Sequence, residues 1–191
     1  DKKDEVLSAM GEMLTELKEK MGEDKILLAN NANDDIAGNV YPAIDGTMFE
    51  HYNIKLSFKE NLLKEWDDML KNAREGKMSI FRFGVEHDYK GENKKGTPEY
   101  TQDIIKLSRE RLEFYLSCFL IGAQPYSYFQ YGWGWNTDHG SLIDYPELLK
   151  PLGAPKGAYE RTDLGKWEFT REFEHASVWL NTEIREGKIS W

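Results

Sequence analysis

The sequence predicts a mixed α/β fold in which strands alternate with helices. Two kinds of segment support this prediction: apolar runs of strand length, and amphipathic stretches with helix start and stop signals. Segments rich in Gly, Asn and Asp separate them. The order is helix, strand, strand, helix, strand, helix, strand and a C-terminal tail. Such alternation is typical of βαβ units and a parallel sheet.

Three segments have the pattern of amphipathic helices. Residues 3–21 carry apolar side chains at heptad-like spacing and stop at Gly22. The second helix starts with a capping box, Ser57 and Glu60, and closes at Gly76. The third covers roughly 98–121 and begins with a proline. The side chains expected to face the core are Leu62, Leu63, Trp66, Leu70 and Ala73 in the second helix, and Ile104, Ile105, Leu112, Tyr115, Leu116 and Phe119 in the third.

Four apolar runs are predicted as strands, and the tail is predicted as antiparallel. The runs are "KILLANN", "AIDGTMFEHY", "MSIFRFGVEHDY" and "PYSYFQYGWGWN". In the first, Ile26, Leu27 and Leu28 are all expected to be covered, as in a buried parallel strand. The segments "KWEFTREFEHASVWLN" and "GKISW" suggest short antiparallel strands near the C-terminus.

Four parallel strands with their helices are half of an eight-stranded (β/α) barrel, which typically needs about 250 residues. The 191 residues therefore predict a TIM-barrel-like half over 1–166, with a β-hairpin tail over 167–191 in the same domain. Helices on one side would leave apolar side chains of the inner face uncovered. These are Ile44, Met48, Phe81, Phe83 and Phe129. The missing strands are expected from an N-terminal part of the same protein, a partner chain or a second copy.

Composition and motifs argue against several function classes. The net charge of −9 argues against nucleic acid and anionic membrane surfaces as partners, and no apolar run approaches the length of a membrane span. The single cysteine, Cys118, lies in an apolar helical run and is expected to be buried. Neither a Gly-rich phosphate loop nor a G-x-S-x-G motif occurs, and no cofactor is predicted.

A metal site is not predicted either. Glu50-His51 and Glu86-His87-Asp88 contain ligand-type side chains. However, neighbouring residues on a strand point to opposite faces, and no H-x-H or H-E-x-x-H spacing occurs.

Polar or aromatic residues follow each predicted strand. The carboxyl ends of parallel strands meet at one edge of a sheet or barrel, where functional residues gather. The candidates for catalysis are Glu50 and Glu86. The candidates for substrate binding are Asn30, Asn31, His51, Tyr131, Trp133, Trp135, Asn136 and Asp138. The alternative is that each strand simply surfaces at these positions, so that Glu50 and His51 point into water.

Paired carboxylates across a pocket are the groups that cleave glycosidic bonds, and tryptophan and tyrosine rings suit the C–H faces of sugars. Adjacent strands lie about 4.8 Å apart, so Glu50 and Glu86 would approach the retaining separation of about 5–5.5 Å. Glu50 is expected to be recessed, beside an aromatic side chain, and within about 10 Å of Asn30 or Asn31. Asp45 begins its strand and is interpreted as structural.

The order and spacing of these segments resemble a known family. The series "KILLANN", "IDGTMFEHY", "PYSYFQYGWGW", "LLKPLGAPKGAYE" and "FTREFEHASVWLN" is similar to the C-terminal half of (β/α)₈ barrels of hypothetical glycosyl hydrolase family 15. The resemblance implies that Glu50 is an active-site acid at the end of the sixth strand. It also implies a partner Asp on a fourth strand, for which this sequence has no counterpart.

The resemblance leaves two functions open. One is a glycoside hydrolase acting on a carbohydrate. The other is a catalytically inactive descendant that serves as a sugar-binding or structural subunit of a larger assembly. The resemblance also favours a secreted or cell-surface location, and the absence of Met at position 1 suggests a fragment or a processed product.

Overall fold

The computed structural model describes residues 2–32, 37–50, 55–85, 88–91, 94, 96–132 and 143–191. The chain forms two compact units, Asp1–Phe81 with Ala123–Tyr128, and Arg82–Gly122 with Phe129–Trp191. The helices are α1 (Lys2–Met21), α2 (Ala37–Val40), α3 (Phe58–Arg74) and α4 (Pro98–Gly122). The strands are β1 (Leu28–Asn30), β2 (Gly46–Phe49), β3 (Met78–Phe83), β4 (Ser127–Tyr131), β5 (Glu160–Arg161), β6 (Glu168–Glu172), β7 (Ser177–Asn181) and β8 (Glu186–Ser190).

The eight strands form two separate sheets. One has the order β1-β2-β3-β4, with β1, β2 and β3 parallel, and the other has the order β5-β6-β7-β8 and is antiparallel. The predicted α/β class with a parallel sheet and an antiparallel tail is therefore confirmed. The described part of the chain does not close into a barrel.

One face of the parallel sheet in the first unit is buried under α3. Thr47, Phe49, Ser79 and Phe81 share this face and are all buried. The rings of Phe49 and Phe81 lie 6.3 Å apart. The amide of Asn72, on α3, donates to Ser79 Oγ at 3.0 Å. Because a buried amide needs a partner, this bond fixes the helix in register with β3.

The opposite face of the same sheet carries Leu28, Met48, Met78 and Ile80, which are half-buried or exposed. The expectation that Ile44, Phe81 and Phe83 lie uncovered is therefore wrong, because all three are buried. Phe81 shares the helix-covered face, Ile44 packs in a cluster below α1, and Phe83 packs on Tyr115 with ring centroids 4.7 Å apart.

Two of the three apolar residues expected to be covered in the first strand are exposed. Ile26 is 58% exposed and Leu28 is 37% exposed. Ile26 precedes the three-residue strand β1, which lies at an edge of the described sheet. Only Leu27 is held inside, against the cluster of Ala32, Val40 and Ile44.

Helix α1 packs on the same cluster through Met10 and Leu14. Gly11 allows this approach, since a Cβ at that position would lie 2.5 Å from the carbonyl oxygen of Asn39. The flank of α1 that bears Val6, Met13 and Leu17 is exposed.

Helix α3 begins and ends as predicted, but its buried stripe differs. The capping box of Ser57 and Glu60 is present, and Gly76 follows the helix with a φ of +71°. Leu62 and Trp66 are buried as expected. Leu63, Leu70 and Ala73 are only half-buried, whereas the polar Asn61, Glu65 and Asn72 are buried in their place.

The core of the second unit lies between α4 and the antiparallel sheet. Its buried side chains are Phe169, Val178, Leu180 and Ile189 from the sheet and Phe114, Cys118 and Ile121 from α4. Strand β8 approaches the helix closely, because a Cβ on Gly187 would lie 2.6 Å from Ser117 Oγ. The predicted burial of Cys118 is confirmed. The tail segments form the predicted antiparallel strands, extended by β5 into a four-stranded sheet.

Arg171 joins this sheet to the end of α4. Its side chain is only 4% exposed, and Nη1 donates to the carbonyl oxygens of Leu120 and Ile121 at 3.0 and 2.9 Å. These carbonyls belong to the last turn of the helix, which has no intrahelical partners for them. Burial lowers the pKa of the guanidinium.

Candidate functional site

Glu50 lies immediately after β2, beside the end of β1. Asn30 Nδ2 donates to Glu50 Oε2 at 2.7 Å, and Asn31 Nδ2 donates to the same oxygen at 3.4 Å. The backbone N–H of Glu50 donates to Asn31 Oδ1 at 3.0 Å. Glu50 is half-buried. The predicted proximity of the two asparagines to Glu50 is confirmed, and the acid is half-buried rather than fully solvated. The aromatic neighbour expected beside it stays a prediction.

The backbone at Asn31 explains this geometry. Asn31 has a φ of 49°, in the left-handed region, where asparagine is enriched among non-glycine residues. Its N–H donates to the carbonyl of Met48 at 2.8 Å, which continues the pairing of β1 with β2 by one residue. The Asn31 amide is thereby directed at Glu50.

The side chains of Asn30 and Glu50 lie on the same face of the sheet. Asn30 pairs with Met48, and Glu50 follows Met48 by two positions, so all three point away from the face that α3 covers. The Glu50 site therefore opens on the partly exposed face of the first unit.

The Asp-Gly pair at the start of β2 is structural. Asp45 Oδ2 accepts hydrogen bonds from the Leu27 N–H and from Lys18 Nζ, both at 2.7 Å. Desolvation acts to raise the pKa of Asp45, but these two donors outweigh it and lower the pKa below its ordinary value. Gly46 is required because a Cβ there would lie 2.6 Å from the carbonyl oxygen of Met78.

Replacing Asp45 with Ala is expected to reduce the free energy of unfolding by about 1 kcal/mol at neutral pH, because two hydrogen bonds to a partly exposed carboxylate are lost. The folded-state pKa is lowered, so this contribution is present above the unfolded pKa of about 4 and is lost as the pH falls below it. Urea unfolding at pH 7 and pH 3 should show the difference shrinking in acid. Asp24→Ala, at an exposed ion pair, is the matched control and should change little. An undiminished difference at pH 3 would contradict the assignment.

Among the other candidates, Tyr131 is described by the structure. Its hydroxyl donates to the carbonyl of Ser108 on α4 at 2.7 Å, and its ring stacks on Phe129 and meets Tyr145 edge-on. Its part in substrate binding stays a prediction. The remaining candidates lie outside the described residues, and their roles also stay predictions: His51, Glu86, Trp133, Trp135, Asn136 and Asp138.

A polar cluster that the sequence interpretation missed lies beyond the end of β3. The Tyr115 hydroxyl donates to Asp88 Oδ2 at 2.6 Å, and Arg185 Nη2 donates to Asp88 Oδ1 and to Tyr115 Oη, both at 2.9 Å. The Asp88 side chain is only 11% exposed. Burial and the bond to Asp88 raise the pKa of Tyr115, so its phenol keeps its proton at neutral pH.

This cluster has one signal in the sequence, the position of Asp88 in the strand-end segment "VEHDY". No sequence signal points to Arg185, because it lies 97 positions after Asp88, in the turn between β7 and β8. The three side chains tie this turn to the helix and to the loop after β3.

Two kinds of feature are absent from the described residues, a metal-binding cluster and a membrane-spanning helix. No three His, Cys, Asp or Glu side chains there are grouped so that they could hold a metal ion. In the same part of the chain, no helix combines the length and apolar character that crossing a membrane requires.

Comparison with known proteins identifies the family. None of the curated proteins matches this chain. The family described as hypothetical glycosyl hydrolase family 15 matches residues 1–177, which is most of the chain and includes both Glu50 and its asparagine partners. The chain is therefore a member of hypothetical glycosyl hydrolase family 15.

Proposed function

We propose that this protein acts on carbohydrate as a glycoside hydrolase-like protein, with Glu50 as general acid/base. The observation that carries the proposal is the Glu50 carboxylate, held by the Asn30 and Asn31 amides where parallel strands end. Carboxylates at this edge of a parallel sheet are in the ordinary place for catalytic groups. The membership of the chain in a glycosyl hydrolase family supports the choice of reaction.

The proposed chemistry requires a proton on one carboxyl group and a second carboxylate nearby. Glu50 would protonate the glycosidic oxygen as the C1–O bond breaks, and would then take a proton from the attacking water. Glu86 is the proposed partner: its carboxylate would bond to C1 as the C1–O bond breaks, and it would leave when the water attacks C1. The two asparagine amides would hold the Glu50 side chain in one orientation through both half-reactions.

The sugar itself would be bound by polar and aromatic groups beyond the strand ends. We assign this role to His51, Tyr131, Trp133, Trp135, Asn136 and Asp138, together with the two asparagines. Ring faces would pack on sugar C–H groups, while amide and carboxylate groups would bond to hydroxyls.

The proposed architecture is the C-terminal half of a (β/α)₈ barrel over 1–166, with 167–191 as a tail of the same domain. The strands follow one another in sheet order, as in a barrel. The face of Leu28, Met48, Met78 and Ile80 is apolar yet only partly covered, as a barrel lining would be without its other half. The exposed flank of α1, with Val6, Met13 and Leu17, would pack on the preceding helix, supplied by an N-terminal part of the protein or by a partner chain.

The proposal is tested by assaying the purified protein against a panel of neutral polysaccharides and aryl glycosides. Hydrolysis is expected to release new reducing ends or the aryl group. Binding of a glycan without any turnover would support the second candidate in its sugar-binding form, an inactive descendant. A folded protein that neither binds nor hydrolyses a glycan would overturn hydrolysis and sugar binding alike.

A further inference from the structure

The second unit contains a cleft of about 340 Å³ between α4, the turn at Pro146–Leu149 and the end of β8. This volume lies within the range of small-molecule sites. None of the residues lining it belongs to the groups proposed for the Glu50 site. They are Arg109, Glu110, Leu112, Glu113, Leu116, Glu147, Lys150, Ile189 and Trp191.

The cleft combines an apolar floor with an accessible indole. Leu112, Leu116 and Ile189 are buried and contribute side chains to the floor. Trp191 stands at the edge and is 41% exposed. Lys150 Nζ lies 5.1 Å from the centroid of the indole, a cation–π contact that orients the ring. A large aromatic side chain held in place but left accessible is a surface on which an apolar ligand face can pack.

The charged groups around this floor nearly balance. Arg109 and Lys150 supply donors, while Glu110 and Glu147 supply acceptors. The remaining carboxylate, on Glu113, accepts a hydrogen bond from the Ile189 N–H at 2.9 Å and so takes part in the fold. Any ion would meet charges of its own sign here. A neutral molecule rich in hydroxyls can use both the donors and the acceptors.

We propose that this cleft binds a neutral carbohydrate, with one sugar ring packed on Trp191 and its hydroxyls bonded to Arg109 and Glu147. The inference goes beyond the proposed function, because it assigns a second carbohydrate site in a separate unit and does not require Glu50 to be catalytic. Such a site would hold a glycan chain on the protein independently of its cleavage.

The test is isothermal titration of the purified protein with cellotetraose, xylotetraose, mannotetraose and maltotetraose. At least one is expected to bind. Trp191→Ala should weaken that binding tenfold or more, and Trp191→Phe should restore part of it, since a smaller ring retains a packing face. Trp167→Ala is the matched control: it removes another indole of this unit that lies under a cation, Arg161, outside the cleft, and should leave binding unchanged.

Asn30→Ala separates the two sites, because Asn30 is assigned to sugar binding beside Glu50. Binding that persists in Asn30→Ala and is weakened in Trp191→Ala supports the cleft, whether or not the protein hydrolyses any glycan. Binding that is weakened in Asn30→Ala and persists in Trp191→Ala would overturn the inference and place the sugar at the Glu50 site. The inference would also be overturned if none of the four tetrasaccharides binds to the protein while its circular dichroism spectrum and cooperative thermal unfolding show that it is folded.

Discussion

Replacing Glu50 with Gln is expected to lower kcat/KM for glycoside hydrolysis by about 10³-fold, within the range that general acid–base groups contribute. The amide is nearly the same size as the carboxylate, and its oxygen can still accept the hydrogen bond that Asn30 donates. It cannot give a proton to the leaving oxygen or take one from water. The loss should therefore appear in kcat, while the fold is retained.

Initial-rate kinetics on the most reactive glycoside of the panel provide the measurement, and thermal unfolding of each variant checks the fold. Glu23→Gln changes an exposed glutamate of the same unit and is the matched control, with no expected change in rate. A Glu50→Gln variant that retains more than about a tenth of wild-type kcat/KM would remove Glu50 from the chemistry. Glu86 would then have to be tested in the same way.

The ends of helix α3 were predictable, because the residues that mark them lie at or next to the helix ends. The capping box at Ser57 and Glu60 and the glycine at position 76 bracket α3, because caps depend on side chains within a few positions of the helix end. The meeting of Asn30, Asn31 and Glu50 was also predictable. It follows from a general rule about parallel strands and requires no knowledge of side-chain packing.

The side of each helix or strand that is buried was less predictable, because it depends on packing partners distant in sequence. Asn72 is buried on α3 because Ser79 of β3 and Tyr41 lie within hydrogen-bonding distance, and hydrophobicity alone places such a residue outside. The sequence pattern predicts Ile44 on the inner face of the sheet, but Ile44 precedes β2 and packs with the cluster under α1. The same pattern predicts that Leu28 is buried, but Leu28 is exposed because β1 lies at the edge of the described sheet.

The C-terminal tail shows even more clearly that contacts with residues distant in sequence are hard to predict. Its antiparallel strands follow from the alternating sequence pattern. The function of Arg171 does not, since its partners Leu120 and Ile121 lie about 50 positions earlier in the chain. On sequence alone, an arginine in a strand is expected on the solvent side. Here it stands in the core of the second unit.

Replacing Arg171 with Ala is accordingly expected to have the largest effect on stability, a loss of about 3–5 kcal/mol, which corresponds to a Tm lower by roughly 10 °C. The variant would remove the donors to two carbonyls in the last turn of α4 and a third, longer bond from Nε to the carbonyl of Gly157. It would also leave a cavity where the guanidinium and its stem now lie. Both effects act in the buried region where α4 meets β6.

Thermal unfolding followed by near-ultraviolet circular dichroism measures this loss, since aromatic side chains are abundant in the second unit. Arg161→Ala is the matched control. That guanidinium also lies over aromatic rings of the sheet, but it is half-exposed and donates to one carbonyl, of Lys166, so its loss should cost about 1 kcal/mol or less. Arg171→Lys should be intermediate, because an ammonium keeps the positive charge at the helix C-terminus but has no counterpart of Nε, which donates to the carbonyl of Gly157. Equal effects of Arg171→Ala and Arg161→Ala would mean that the helix end is held by packing alone.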